Sequence, residues 1–379
     1  MSSTDWSGRH HPTSKEDDVH SFTVRVLGRA IGVDCDPTTV PDDVADELSR
    51  QWEQCLTDAD PDDRVWVSLD EAGPPPDHRY FVRGSDPRVA AHRLSDVVVG
   101  TAMAALVPPE GRDRPLAQPP SVLGVHAAAV VRDRRAVLLV GGTHRDEAMR
   151  ALAPHYDYLS DSAVAVDLDR GTVLGAATPL TTFPEPELVS RTEVPLRDAG
   201  LRPVLEPVPL AAVVVLEPTA SAGAAGWTPL SIPVATARLA PAVPILPALP
   251  QPMQDLARVA SLTRGAVSVS GAAPELPALL DEVLAVEMAA ELVIPVEPGP
   301  GPDTTPRPGD VRRHRMTDGI SDGSTLAFWT TEHTAVAVGG IAPHLWDAAR
   351  QWIGPDELTD RVVQAVGAPE GADPRALVD

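Results

Sequence analysis

The chain has 379 residues, 43% of them hydrophobic, with 41 prolines and a formal net charge of −23. That length gives room for two or three domains, each with its own core, and the charge argues against a non-specific nucleic-acid or anionic-membrane binder. No apolar run approaches the ~18 residues of a membrane span and residues 1–18 are polar, so a cytoplasmic location away from membranes is the expectation.

Residues 1–18 read as a disordered tail, with His10 and His11 as tail composition in preference to a metal site. Residues 19–107 read as a mixed α+β module. Alternation predicts a strand over 22–27, then a helix near 41–57, then strands at 65–69 and 80–83. Cys55 falls with Val44, Leu48 and Trp52 on the apolar face of that helix, a packing position. With Cys35 it makes two cysteines, too few for a disulfide framework or a cysteine zinc site. Asp86 as N-cap and Pro87 in the first turn predict a helix to about Leu106. Residues 107–120 are proline-rich and read as a connection.

The next unit spans 108–294. Strands over 125–131 and 136–140 flank the turn Arg132-Asp133-Arg134-Arg135. A short helix over 147–153 and a strand over 158–168 carrying Asp161 follow. The apolar run 210–216 has the pattern of a strand buried on both faces. Helices over 252–263 and 275–292 close the unit, and the Pro/Gly/Asp stretch 295–309 reads as a linker. Beyond it, residues 310–379 predict strands at 325–330 and 333–338 and helices at 343–353 and 355–366, with a last short helix from Asp373. Gly319 to Gly323 fits G-x-S-x-G, but a nucleophile elbow needs a buried strand before it and a helix after it, so a turn is expected here.

One junction bears directly on chemistry. After the strand 137–140 the chain reads Gly141-Gly142-Thr143-His144-Arg145-Asp146-Glu147. A phosphate-cradling loop needs GxxxxGK[ST], so that backbone N–H groups wrap the phosphates and lysine reaches the outer ones. Lysine and the second glycine are missing, and Lys15 is the sole lysine of the chain. Arg145 stands four residues after Gly141, where the motif places its lysine six after the first glycine. Thr143, Asp146 and Glu147 read instead as an N-cap and an acidic first turn, which satisfies the helix dipole and repels a triphosphate.

The run Val125-His126-Ala127-Ala128-Ala129-Val130, the strand 136–140 and Tyr158-Leu159-Ser160-Asp161-Ser162 together resemble the HPr serine kinase/phosphorylase family, and within it the kinase-like proteins encoded beside PqqD-type peptide-binding proteins. The resemblance spans roughly residues 98–292 and rests on the order of elements. By it, His126 matches the histidine near the transferred phosphate, and Asp161 the first carboxylate of an acidic pair, the candidate general base. Ser162 falls where the second carboxylate stands. Gly141, Gly142, Thr143 and Arg145 occupy the P-loop position. Residues 310–379 resemble PqqD, a small winged-helix-like module that takes a leader peptide as an added strand; Val336, Trp346 and Trp352 are the candidate peptide contacts. On the residues alone, His126 is equally a satisfied core histidine and Asp161 equally a structural carboxylate, while Trp329, Trp346 and Trp352 read as core packing in preference to a peptide surface.

The expected fold class is therefore α/β: an HPr-kinase-like P-loop core, a mixed α+β amino-terminal module and a small winged-helix-like carboxy-terminal domain. The expected function is non-catalytic, a pseudokinase or scaffold subunit recognising a peptide in a ribosomal peptide natural-product modification system. Its partner would be a peptide or a modifying enzyme, with self-association left open, and no cofactor is expected. The alternative is an ATP-dependent serine kinase acting on a peptide or protein, with ATP and Mg²⁺ as cofactors and Arg145 partly replacing lysine.

Overall fold

The computed structural model describes residues 19–70, 78–84, 86–107, 116, 120–141, 145–182, 192–217, 225–263, 265–287, 292–297, 305–368 and 375. The chain opens with β1 (His20–Val26) and β2 (Arg29–Cys35), an antiparallel hairpin closed by Leu27 and Gly28, both at positive φ. Two left-handed residues match the twist of the flanking strands, which is why glycine suits the second position. β2 was not anticipated from sequence. It is buried almost throughout, so the alternation that marks a half-exposed strand is absent. Helix α1 (Asp42–Gln51) continues into a 3₁₀ turn at Glu53–Cys55. Then β3 (Asp63–Ser68) and β4 (Tyr80–Arg83) complete a four-stranded sheet, each parallel to its predecessor. The Cys55 thiol is buried against the Ala177 carbonyl, and burial pushes it up to about 12, so it is a packing group.

Helix α2 (Pro87–Leu106) begins where the sequence places it, with the Asp86 side chain accepting the Arg88 N–H at 2.7 Å. Contrary to the sequence expectation, α2 is long and apolar enough to cross a membrane, the one such helix among the described residues. Half of that apolar stretch is buried inside the protein. It packs against β3 and β4 on one side and against the next sheet on the other.

That next sheet has nine strands. The expected single strand over 125–131 is two: β5 (Val122–Val125) and β6 (Ala128–Arg132), with His126 and Ala127 in the break. β7 (Arg135–Gly141) returns antiparallel to β6 through Asp133 and Arg134, both at positive φ. Helix α3 (Arg145–Leu152) follows. The expected strand over 158–168 is also two, β8 (Asp157–Ser160) and β9 (Val164–Asp167), so Asp161 lies beyond a strand end and not within one. β10 (Thr172–Gly175) pairs with β9, and β11 (Leu180–Thr182) with β12 (Thr192–Val194) forms a separate two-stranded ribbon. β13 (Val208–Leu216) is the buried run foreseen in the sequence, parallel to β7 and to β15 (Ala266–Ser270). β14 (Gly226–Leu230) edges the sheet beside β15. Val137 and Leu139 face one apolar core, while Ala136, Leu138 and Val140 face a second. Each fully buried Val or Leu contributes roughly 1.5–3 kcal/mol over an exposed one.

Helices α4 (Ile232–Leu239) and α5 (Pro252–Ser261) cover the second face, and α6 (Leu276–Ala285) the first. The stretch read as linker begins inside the next sheet. β16 (Ile294–Pro295) pairs with β17 (Met316–Ser321), and β18 (Thr325–Thr330) and β19 (Ala335–Gly339) complete an antiparallel meander. Proline is tolerated there because β16 is an edge strand. Ser321 of the G-x-S-x-G run ends β17, and its hydroxyl binds the hairpin turn. This sheet is not on a free tether: Ile320, Ala327 and Trp329 share the core of α4 and α5. Helices α7 (Ala342–Ala348) and α8 (Pro355–Val366) end the described fold. The short helix expected from Asp373 falls outside the described residues, except for Arg375.

Candidate functional site

Strands β7, β8 and β13 run in one direction, with β6 opposed to both β7 and β8. The ends of β7 and β8 and the start of β6 therefore lie along one edge of the sheet, the carboxyl edge where α/β folds gather ligands. His126, Gly141, Arg145 and Asp161 come to that edge from three different strand ends. Gly141 closes β7 at φ 79°, and its carbonyl accepts a long 3.5 Å hydrogen bond from Arg145 Nε. Gly142 and Thr143 lie outside the described residues.

The turn after β8 is made by Ser160. Its hydroxyl accepts the N–H groups of Ser162 (3.1 Å) and Ala163 (3.0 Å), bending the chain so that Asp161 turns inward. The Asp161 carboxylate then accepts from Thr178 Oγ1 at 3.3 Å and from the Thr181 N–H at 3.1 Å. Burial raises its pKa to about 6, against the Thr181 N–H that favours its charge, and the nearby Glu193 raises it further. Tyr158, fully buried below, donates its hydroxyl to the Thr178 carbonyl at 3.2 Å. His126 is held below its ordinary value, first by desolvation and then by the Arg145 charge, with a hydrogen bond to the Ser162 main chain opposing both. Arg145 is likewise lowered by desolvation, with Asp161 opposing.

The second carboxylate near Asp161 is Glu193 on β12, which sequence reasoning missed. Its Oε1 accepts from Thr181 Oγ1 at 3.0 Å and faces His92 Nδ1 at 3.2 Å; His92 Nε2 lies 3.3 Å from Asp96 on α2. The Glu193 side chain is 1% exposed and its Oε2 has no hydrogen-bond partner among the described residues. Burial is the first cause of its raised pKa. Thr178 and Thr181 hold Asp161, and Thr181 links it to this second carboxylate. Ser162, matched to the second carboxylate position, has a buried hydroxyl without a hydrogen-bond partner among the described residues. Among the described residues no three His, Cys, Asp or Glu side chains are grouped to hold a metal ion.

The peptide candidates lie elsewhere. Val336 sits on β19, the outer strand of its sheet, opposite Phe328. Trp346 on α7 stacks on Phe328 with ring centroids 4.3 Å apart. Trp352 is not on that helix, since α7 stops at Ala348; its ring lies 4.7 Å beneath the Arg312 guanidinium. The candidates thus fall in two places, a buried polar sheet edge and a half-buried outer strand with no strand on its far side among the described residues.

No protein-family model matches the chain, and no curated protein matches it. Among solved structures it is similar to the HPr(Ser) kinase/phosphatase from Coxiella burnetii, at 10% identity and a TM-score of 0.24, over 42% of this chain and 92% of that one. The fold is a mixed α/β arrangement of several sheets with that partial likeness.

Proposed function

We infer that this chain is a non-catalytic, pseudokinase-like scaffold subunit that recognises an extended peptide in a ribosomal peptide natural-product modification system. The observation that carries the non-catalytic half is the orientation of Asp161. Both of its oxygens accept hydrogen bonds from inside the protein, from Thr178 and Thr181, and the residue is 9% exposed, which supports a carboxylate engaged with its own scaffold. A general base must reach the proton it removes. Arg145 folds back on the Gly141 carbonyl, and Asp146 and Glu147 stand in the first turn of α3, where a triphosphate would need positive charge. These residues do not fit a nucleotide with Mg²⁺.

Calorimetric titration of the whole chain with ATP and Mg²⁺ should find no site tighter than about millimolar. A micromolar dissociation constant, or transfer of phosphate to a peptide serine, would overturn this reading in favour of the ATP-dependent serine kinase.

The peptide half rests on β19. Its inner side pairs with β18, and its outer side offers a row of backbone groups to an added strand. Main-chain bonds would give affinity, and pockets for alternate side chains would give selectivity. The Val336 N–H points inward to Phe328 of β18, so the outward-facing donor next along the strand is that of Ala337, and Ala337→Pro removes that donor from this edge. In fluorescence titrations with a leader peptide encoded in a neighbouring gene, the folded variant should bind at least about tenfold more weakly, the loss of about one net hydrogen bond. Unchanged affinity would move the site off β19.

A further inference from the structure

The carboxy-terminal sheet is joined to the core by a carboxylate. Helix α5 starts with Pro252, so the first N–H groups in need of acceptors are those of Met253 and Gln254. No side chain of the preceding Gln251 caps them. Asp318 does so from β17: its Oδ2 accepts from Met253 N–H at 2.7 Å and Gln254 N–H at 3.1 Å, and its Oδ1 from Gln254 Nε2 at 2.8 Å. Both Asp318 and the apolar joint around it are buried. Asp255, one residue further along α5, is 3% exposed, and its Oδ2 has no hydrogen-bond partner among the described residues. A buried carboxylate oxygen without a donor is costly when charged and cheap when it carries a proton.

We propose that these two aspartates form a proton-dependent latch. A proton on Asp255 keeps the carboxy-terminal sheet docked on α5, and its loss sets two buried carboxylates against each other and loosens the joint. The groups facing Asp255 are few. Arg258, on the same helix, lies 4.0 Å away and is shared with Asp169 at 3.3 Å; together with the start of the helix dipole it favours the charged form. Asp318 on β17 opposes it. β18 carries no ionisable side chain, and Arg238 of α4 is engaged with Glu217 at 3.5 Å. Burial is the largest influence, and the balance holds Asp255 at about 6, above its ordinary 3.8. The folded-state value is raised, so the stabilisation is complete below about pH 4 and declines as pH climbs through about 6.

Hydrogen exchange on the full chain tests the latch, with amides of β17 and β18 read against those of β13 as an internal reference. Between pH 5 and pH 7.5, after correction for intrinsic rates, protection of the sheet relative to β13 should fall about tenfold, since each pK unit is a factor of ten. Asp255→Asn should keep the low-pH protection at both pH values. Asp318→Asn removes the facing charge while retaining one acceptor. It should lower protection overall and reduce the pH ratio only in part, because burial, the larger influence on Asp255, remains. Equal change in β13 and the sheet, or a pH ratio unaltered in either variant, would overturn the proposal. The wild-type ratio alone decides it if both variants fail to fold.

Discussion

Gly175→Ala is expected to destabilise the protein by about 3 kcal/mol or more, the upper range for forced overpacking. Gly175 ends β10, paired with Val164 of β9, where the chain crosses the end of β8. A Cβ there would fall inside the Leu159 carbonyl, 2.5 Å from its carbon and 2.7 Å from Leu159 Cγ. The obstruction is backbone, so no rotamer change relieves it. Leu159 is itself fully buried, and two residues later comes Asp161. A displaced Leu159 would therefore disturb the Ser160 turn and the hydrogen bonds of Asp161. Denaturant unfolding of the variant beside the parent reads the loss directly. A change below about 1 kcal/mol, the centre of ordinary substitutions, would mean that β8 and β10 separate more readily than their packing indicates.

Asp161→Asn should act in the opposite sense and stabilise the protein at neutral pH. The carboxyl is raised from 3.8 to about 6 by burial and by Glu193. Because the folded value is the higher one, the native state holds the proton more tightly than the unfolded chain. Stability from this group is full below about pH 4, declines as pH rises to about 6, and is flat beyond. About two units at ~1.4 kcal/mol each set a ceiling near ~3 kcal/mol. Asparagine can still accept from the Thr181 N–H and can donate to Thr178. A gain of about 1–3 kcal/mol at pH 7.5, with little change at pH 4, is the expected outcome of unfolding titrations at the two pH values. A loss of stability at pH 7.5 would mean that the ionised carboxylate is itself a structural asset.

Local signals in the sequence carried local structure. Asp86 and Pro87 marked the start of α2 because capping and fixed φ act within one turn. The run at 210–216 marked β13 because a strand buried on both faces has no polar side to show. His126, Arg145 and Asp161 were legible as candidates, and they do meet at one sheet edge. The two continuous strands read through His126 and Asp161 were breaks, because Ala127 and Ala163 continue the apolar pattern while the backbone turns. Glu193 and His92, separated by 101 residues, pair through the packing of α2 on the β11–β12 ribbon, which no local period encodes. The same holds for Trp329, whose place in the core of α4 and α5 contradicts the proline-rich look of the chain before it.

The cap on α5 also sets an order of assembly. Met253 and its acceptor are 65 residues apart, so when α5 leaves the ribosome, its first free N–H groups have no protein acceptor. At a synthesis rate of about 5–20 residues per second, the cap arrives several seconds later. Until then water must solvate that end of the helix, and the apolar face of α4 and α5 awaits Ile320, Ala327 and Trp329. The nascent core therefore spends those seconds with an open side, a window in which a chaperone or another chain can reach it.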